Sequence, residues 1–414
     1  MVHQDQDESP LGRHFWLVAL TGVAGAAAAA LYLPALWWLS RRLGAEAWAA
    51  RPLTHLVLLC VAGAAVALIA RLAGPSGSVE LLVDNIHVRG GVAGARELRA
   101  LIPSSLICIA SGGAMGPEAP LVQTTGTIAG SIADAFGLAP VDRRVLTITG
   151  MAAGFTALFG APVGAAIFAL EILHRGGLEY QEALMPAVIG SLCGYAAFVT
   201  LTGLGLSPVW SFPAVPALRP ADLAWAALAG VAAAAVAAAF AAAHHSLSGL
   251  FSRLPPWARP ILGGLGLGLL ALASPYALTF GEGQLGGLLS VAPAASFLAI
   301  AALAKFCGTT LTLSSGWKGG FIIPLFFIGA CLGRLAHVAF PQTNEIVLMA
   351  ALMAAANAGV TKTPLGSALV VAGMTGLRLL PTTLIATIVA LALTHRVSVI
   401  ETQRSRALDG TPAA

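Results

Sequence analysis

The residues best placed to do chemistry lie at positions 111–126, Ser-Gly-Gly-Ala-Met-Gly-Pro-Glu-Ala-Pro-Leu-Val-Gln-Thr-Thr-Gly. One carboxylate, Glu118, stands at the centre, between Pro117 and Pro120. Glycines before it loosen the backbone. A proline in a first helical turn is well tolerated, because its missing N–H is one of the unpaired donors there. An apolar run at 106–110 leads in and a small-residue helical pattern at 121–135 leads out. The pattern predicts a broken helix. The start of such a helix presents free N–H groups and attracts anions. A glutamate held there competes with an anion for the same place, which is the chemistry of a gate.

Composition says what surrounds this stretch. Of 414 residues, 57% are hydrophobic and only 10% are charged. Soluble domains carry about 25% charged residues, so the chain reads as an integral membrane protein. A helix needs about 20 apolar residues to cross a bilayer, and such runs recur along the chain. The 47 glycines suit close helix contact in lipid. The ~10-residue alternating strands of a transmembrane barrel are missing. The fold class is therefore all-α and polytopic. A charge at the middle of a membrane helix costs about 2.5–3.5 kcal/mol, which favours function for Glu118 over the plainer role of a helix cap.

Other chemistries find little support. The net charge of +4 is spread thinly, with no basic cluster for nucleic acid. Cys60, Cys108, Cys193, Cys307 and Cys331 show neither metal nor disulfide spacing, so no metal and no cofactor are expected. His244-His245 follows an Ala-rich helix and reads as interfacial rather than metal-binding. An enzyme would need a nucleophile, metal cluster or acid pair, and none stands at useful spacing. A cation-coupled solute carrier, a distant alternative, would call for more intramembrane carboxylates than Glu118 and Glu171.

The elements that must position Glu118 fall into two halves. Residues 1–14 form a polar tail unlike a cleavable signal peptide. A first membrane repeat at 15–206, a Pro-rich linker at 207–220, a second repeat at 221–395 and a C-terminal segment at 396–414 follow. Trp16, Trp37, Trp38 and Trp210 fit an interfacial belt, and His174-Arg175 a solvated loop end. Met151-Ala-Ala-Gly-Phe-Thr-Ala-Leu-Phe-Gly-Ala-Pro-Val-Gly164 aligns without a gap with Met353-Ala-Ala-Ala-Asn-Ala-Gly-Val-Thr-Lys-Thr-Pro-Leu-Gly366. Gly116-Pro-Glu-Ala-Pro120 likewise matches Gly320-Phe-Ile-Ile-Pro324. Short, Gly/Pro-interrupted segments at matching places in two halves mark a transporter-type site. The halves read as an internal duplication with inverted topology.

Taken in order, these segments resemble the CLC family of chloride channels and chloride/proton exchangers. Pro75-Ser-Gly-Ser-Val-Glu80 is similar to the family's Gly-Ser-Gly-Ile-Pro-Glu motif. Gly116-Pro-Glu-Ala-Pro-Leu-Val-Gln123 is similar to Gly-Arg/Lys-Glu-Gly-Pro-x-Val-Gln, and Gly320-Phe-Ile-Ile-Pro324 to Gly-x-Phe-x-Pro. The blocks around Pro162 and Pro364 resemble its two Asn/Arg-Ala-Pro-Leu-x-Gly segments. The resemblance implies two inverted-topology repeats with re-entrant half-helices, in a homodimer with one anion pathway per subunit. It makes Glu118 the gate. It places the anion among Ser76, Gly77, Gly116, Glu118, Ala119, Gly320, Phe321 and Ile322, with the Ser76 hydroxyl and the N–H groups of Phe321 and Ile322 as donors. It implies a multi-pass protein of the cell membrane with both termini in the cytoplasm. Arg396, Arg404 and Arg406 agree with that orientation, while Arg41, Arg42 and Arg51 oppose it under the positive-inside rule.

The departures from the family pattern carry information. Pro75 stands for the first glycine, and Pro117 replaces the basic residue beside the gate. In Val397-Ser-Val-Ile-Glu401, Ile400 stands where the family has a tyrosine. Glu171 matches the first of two adjacent glutamates found in proton-coupled members, and Ile172 replaces the second. Glu171 is then either an inner acid or a structural acid at a helix end. Lys305 and Lys318 lie near the pathway or snorkel at the surface. The regulatory cytoplasmic domains of many members are not expected. The expected function is transport of a small anion, chloride first, gated by Glu118 with weak or no proton coupling. Strictly coupled chloride/proton antiport is the alternative.

Overall fold

A computed structural model describes residues 10–403, apart from 44–50, 75–82, 85, 88–94, 176–180, 205–209, 211, 216 and 291–292. Ser76 and Gly77, expected as anion contacts, lie outside the described residues, as do Arg404 and Arg406. Regular structure among the described residues is helical, and strand character is limited to isolated bridges. The first half contains α1 (Pro10–Leu43), α2 (Pro52–Ala73), α3 (Ala95–Ala110), α4 (Glu118–Ala135), α5 (Pro140–Phe159), α6 (Pro162–Glu171) and α7 (Leu184–Thr202). The second contains α8 (Pro220–Ser252), α9 (Ala258–Ala273), α10 (Glu282–Ser290), α11 (Ala295–Ser314), α12 (Ile322–Ala339), α13 (Glu345–Thr361), α14 (Pro364–Thr375) and α15 (Leu380–Thr394).

Among the described residues, seven helical stretches are long and apolar enough to cross a membrane, and others, such as α6 and α14, are short and apolar. Prolines open α2, α5, α6, α8 and α14, where a missing N–H costs nothing.

The duplication is visible in the backbone. Helices α4 and α12 each begin two residues after the first glycine of their Gly-x-x-x-Pro break, and each has 18 residues. At the next break, Gly160 ends α5 in the left-handed region with φ 64°. Lys362 ends α13 with the same φ of 64°. Glycine meets that conformation freely and lysine does not. The buried Lys362 is held there by its Nζ, which donates to Gly359 O at 2.5 Å, Thr394 O at 2.7 Å and Thr394 Oγ1 at 3.0 Å. It thereby ties the break to the end of α15.

Helices α12 and α13 pack closely, as do α4 and α5. Small residues permit the approach, as lipid-embedded interfaces require. A Cβ added at Gly329 of α12 would lie 2.6 Å from Met353 Cα of α13. A Cβ added at Gly150 of α5 would lie 2.5 Å from Thr125 O of α4.

Two expectations are corrected by long-range packing. Trp210 is buried inside the protein, its Nε1 donating to Glu282 O at 3.1 Å and its ring edge-on to Phe326. Trp210 thus lies against α10 and α12, which takes the indole away from lipid. His174 is also buried, with its ring 5.0 Å from that of His87.

Candidate functional site

Helices α4 and α12 bring their N-termini together at one point. Gly116 N–H donates to Gly320 O at 2.8 Å, and Gly320 N–H donates to Gly116 O at 2.6 Å. The antiparallel bridge joins the two breaks that are paired in the sequence. From it α4 and α12 depart, each with the free amides of its first turn directed at the junction. Asn357 of α13, fully buried, steadies one side by donating from Nδ2 to Ile322 O at 3.3 Å.

Glu118 lies fully buried at this junction. Its Oε1 accepts the Ile323 N–H at 2.5 Å, and Oε2 has no hydrogen-bond partner among the described residues. The carboxylate of one half therefore occupies the helix N-terminus of the other. The Phe321 and Ile322 amides were the expected donors, and the observed donor is the next residue along. Helix α12 starts at Ile322, so Ile323 is the second residue of a turn whose amides have no intrahelical partners. Gly116 and Gly320 leave the room: a Cβ at either would collide with the Glu118 carboxylate. Ala119, Phe321 and Ile322 line a small cavity next to the junction.

Two cavities adjoin the junction. The smaller, about 20 Å³, is lined by apolar side chains and backbone, among them Ala119, Ile172, Phe321 and Ile400. The larger, about 170 Å³, shares Ala119, Phe321 and Ile400 and also reaches Gln123, His244 and Lys318. Ile172 and Ile400, the two positions where the family resemblance led to the expectation of a glutamate and a tyrosine, line the same small cavity. Neither can hold a proton or donate a hydrogen bond.

Glu171 is used differently. Its Oε1 accepts Leu365 N–H at 3.1 Å and its Oε2 accepts Gly366 N–H at 2.7 Å. It is buried and caps α14 across the interface between the repeats. Glu171→Ala is expected to leave both amides unpaired and to lower stability by about 1.5–3 kcal/mol, the range for bonds to a charged group. Thermal unfolding in detergent measures the loss. Glu171→Gln, which keeps one acceptor, should lose less.

Lys305 is likewise engaged in structure. Its buried Nζ donates to Leu278 O at 2.5 Å and Thr279 O at 2.7 Å and sits 5.1 Å from the Phe327 ring centroid. Residues 395–403, after α15, are clamped at their far end. Gln403 Nε2 donates to Ile172 O at 2.8 Å and to Thr361 O at 2.7 Å. One amide group thus links the ends of α6 and α13 and holds Ile400 against the cavities. No group of metal-ligating side chains occurs among the described residues.

Comparison with known proteins agrees with this architecture. The profile of the family described as voltage gated chloride channel matches residues 65–395. A chloride/fluoride channel protein of Pseudomonas syringae pv. tomato is 30% identical over 370 residues, covering 84% of this chain and 78% of the relative. The voltage-gated ClC-type chloride channel ClcB of Escherichia coli O157:H7 is 30% identical over 311 residues, 72% of this chain and 73% of the relative. Among solved structures, a CLC-type fluoride/proton antiporter superposes with a TM-score of 0.81 at 24% identity, over 94% of this chain and 97% of the other. A slow cyanobacterial Cl−/H+ antiporter gives 0.78 at 23%, over 94% and 96%. These structures share this chain's fold. The chain belongs to the CLC family. It is a multi-span membrane protein for anion transport and not an enzyme.

Proposed function

We propose that this protein conducts chloride through a pathway gated by Glu118, with weak or no coupling to protons. The observation that carries the reading is the bond from Ile323 N–H to Glu118 Oε1. A carboxylate in that position holds the place of the anion, and an anion passes when the carboxylate leaves. Neutral amides and helix ends bind weakly enough for release, as conduction requires. Weak coupling is supported by the apolar cavity, whose described lining residues include no titratable side chain. Glu171 is committed to α14 on both oxygens. In the coupled alternative, which the names of two structural neighbours favour, water would carry the proton past Ile172 and Ile400. We infer a homodimer with both termini in the cytoplasm, as the family resemblance implies.

Purified protein in liposomes tests both parts. A chloride gradient is expected to dissipate through the protein with no stoichiometric proton movement. A fixed chloride-to-proton ratio would establish the coupled alternative. Absence of chloride flux under any gradient would end the chloride reading. Parallel runs with fluoride cover the anion named for the Pseudomonas relative.

A further inference from the structure

The turn between α9 and α10 is held in a strained shape beside the gate. Thr279 lies in the left-handed region with φ 59°. A β-branched residue adopts that conformation only where its surroundings hold it there. Two groups do so. The buried Lys305 Nζ donates to Leu278 O and Thr279 O. The Thr279 N–H donates to Gly112 O at 2.8 Å, in the loop that leads to Glu118. Just beyond the turn, the Trp210 indole fixes Glu282 O at 3.1 Å. The turn is thus tied to the gate loop and presents Glu282, the first residue of α10, to a separate cavity of about 670 Å³. Ile109 and Thr279 line this cavity too, so its wall runs to within one hydrogen bond of the gate loop. Glu282 is half-buried and is a like-charged electrostatic neighbour of Glu118. Glu118 keeps one oxygen, Oε2, without a hydrogen-bond partner among the described residues, and a proton can sit there. Other ionisable groups surround the pair. Tyr32 of α1, also a neighbour of Glu118, has its Oη 2.9 Å from Ser105 Oγ, and the Cys108 Sγ of α3 is met by the Lys318 backbone N–H at 3.3 Å. Arg41 of α1 and Tyr276 of the turn line the cavity with Glu282. Arg334 of α12 pairs with Glu345 at 2.6 Å.

We propose that Glu282 is a second acid of the gate, coupled to Glu118 and setting the pH range over which the pathway opens. The inference rests on the reading of Glu118 as the gate. Whenever Glu282 is ionised, its charge disfavours the ionised form of Glu118. Glu118 then takes up its proton at a higher pH than it would alone, and the gate is released earlier as pH falls. Two acids that feel each other also titrate as a pair, in two steps rather than one. The strained turn is what keeps the second acid in place: Lys305 and Gly112 fix its backbone, and the cavity gives its carboxylate access to water.

Chloride efflux from proteoliposomes, followed from mildly acidic to alkaline pH, decides it, with Glu118→Gln as the reference. Wild-type flux should rise as pH falls, and Glu118→Gln flux should not vary. Glu282→Gln is expected to move the half-maximal pH of the rise down by about half a unit, the size of one like charge acting through a partly screened medium. On the rising part of the curve that is about a threefold fall in flux relative to its maximum. Glu282→Asp, which keeps the charge, should stay close to wild type. In the Glu118→Gln background, Glu282→Gln should introduce no pH dependence, because the responding group is gone. A half-maximal pH that is unchanged or higher in Glu282→Gln, with the wild-type rise intact, would overturn the coupling and leave Glu118 as the gate. Wild-type flux that does not vary with pH, or that varies equally in Glu118→Gln, would remove the gate reading and the coupling with it. If Glu282→Gln fails to fold, Glu282→Ser carries the same comparison, since any neutral replacement removes the charge.

Discussion

Glu118→Gln is expected to give anion flux that no longer varies with pH and exceeds that of the wild type at neutral and alkaline pH. The carboxylate is held by a charge-assisted bond to the Ile323 amide at the start of α12. Protonation removes that charge, so wild-type flux should rise as pH falls. Bonds to charged groups contribute about 1.5–3 kcal/mol. At 1.4 kcal/mol per factor of ten, losing one shifts the closed population about ten- to a hundredfold. Glutamine is neutral at every accessible pH and so fixes the gate in its weakly held condition. The check is the initial rate of chloride efflux from liposomes between mildly acidic and alkaline pH. A Glu118→Gln protein that keeps the wild-type pH profile would remove Glu118 as the gate.

Gly116→Ala should produce a similar effect while leaving the glutamate in place. The nearest atoms a Cβ at Gly116 would meet all belong to the Glu118 carboxylate, including Cδ at 2.5 Å. Gly116 is not among the residues with positive φ, so alanine fits its backbone. The methyl group and the seated carboxylate cannot coexist, and the flexible side chain is the one that yields. Flux at alkaline pH is therefore expected to rise toward the Glu118→Gln level. The double variant Gly116→Ala with Glu118→Gln should gain little further, because both changes act on one step. Flux at alkaline pH no higher than in the wild type would mean that the bond to Ile323 is not the closed state.

Much of this was legible in the sequence because the signals are local. The glycines and prolines around Glu118 mark a helix break wherever they occur, and the blocks beginning at Met151 and Met353 carry the duplication in the same residue order. Ile172 and Ile400 were placed through the family resemblance, Ile172 beside Glu171 a short way past the Pro162 block and Ile400 within Val397–Glu401. What escaped depends on distant partners. Glu171 could not be separated from an inner acid, since the amides it caps lie 194 and 195 residues away. Trp210 looked like a lipid-interface residue because nothing near it in sequence points to Glu282. Gln123 stood as the last residue of its motif, and its burial with an Nε2 that has no partner among the described residues is evident only once the surrounding helices close over it. The choice of Ile323 over Phe321 and Ile322 turns on where α12 begins, and Gly-x-x-x-Pro alone leaves that open.

The bond pair of Gln403 has a mechanical consequence. A single side chain fastens the carbonyls of Ile172 and Thr361, three positions after Ile400. A pull applied downstream of residue 403 runs first into this fastener and then into the wall of the cavity lined by Ile172 and Ile400. A bulky fusion or surface tether attached after residue 414 is therefore expected to load that wall.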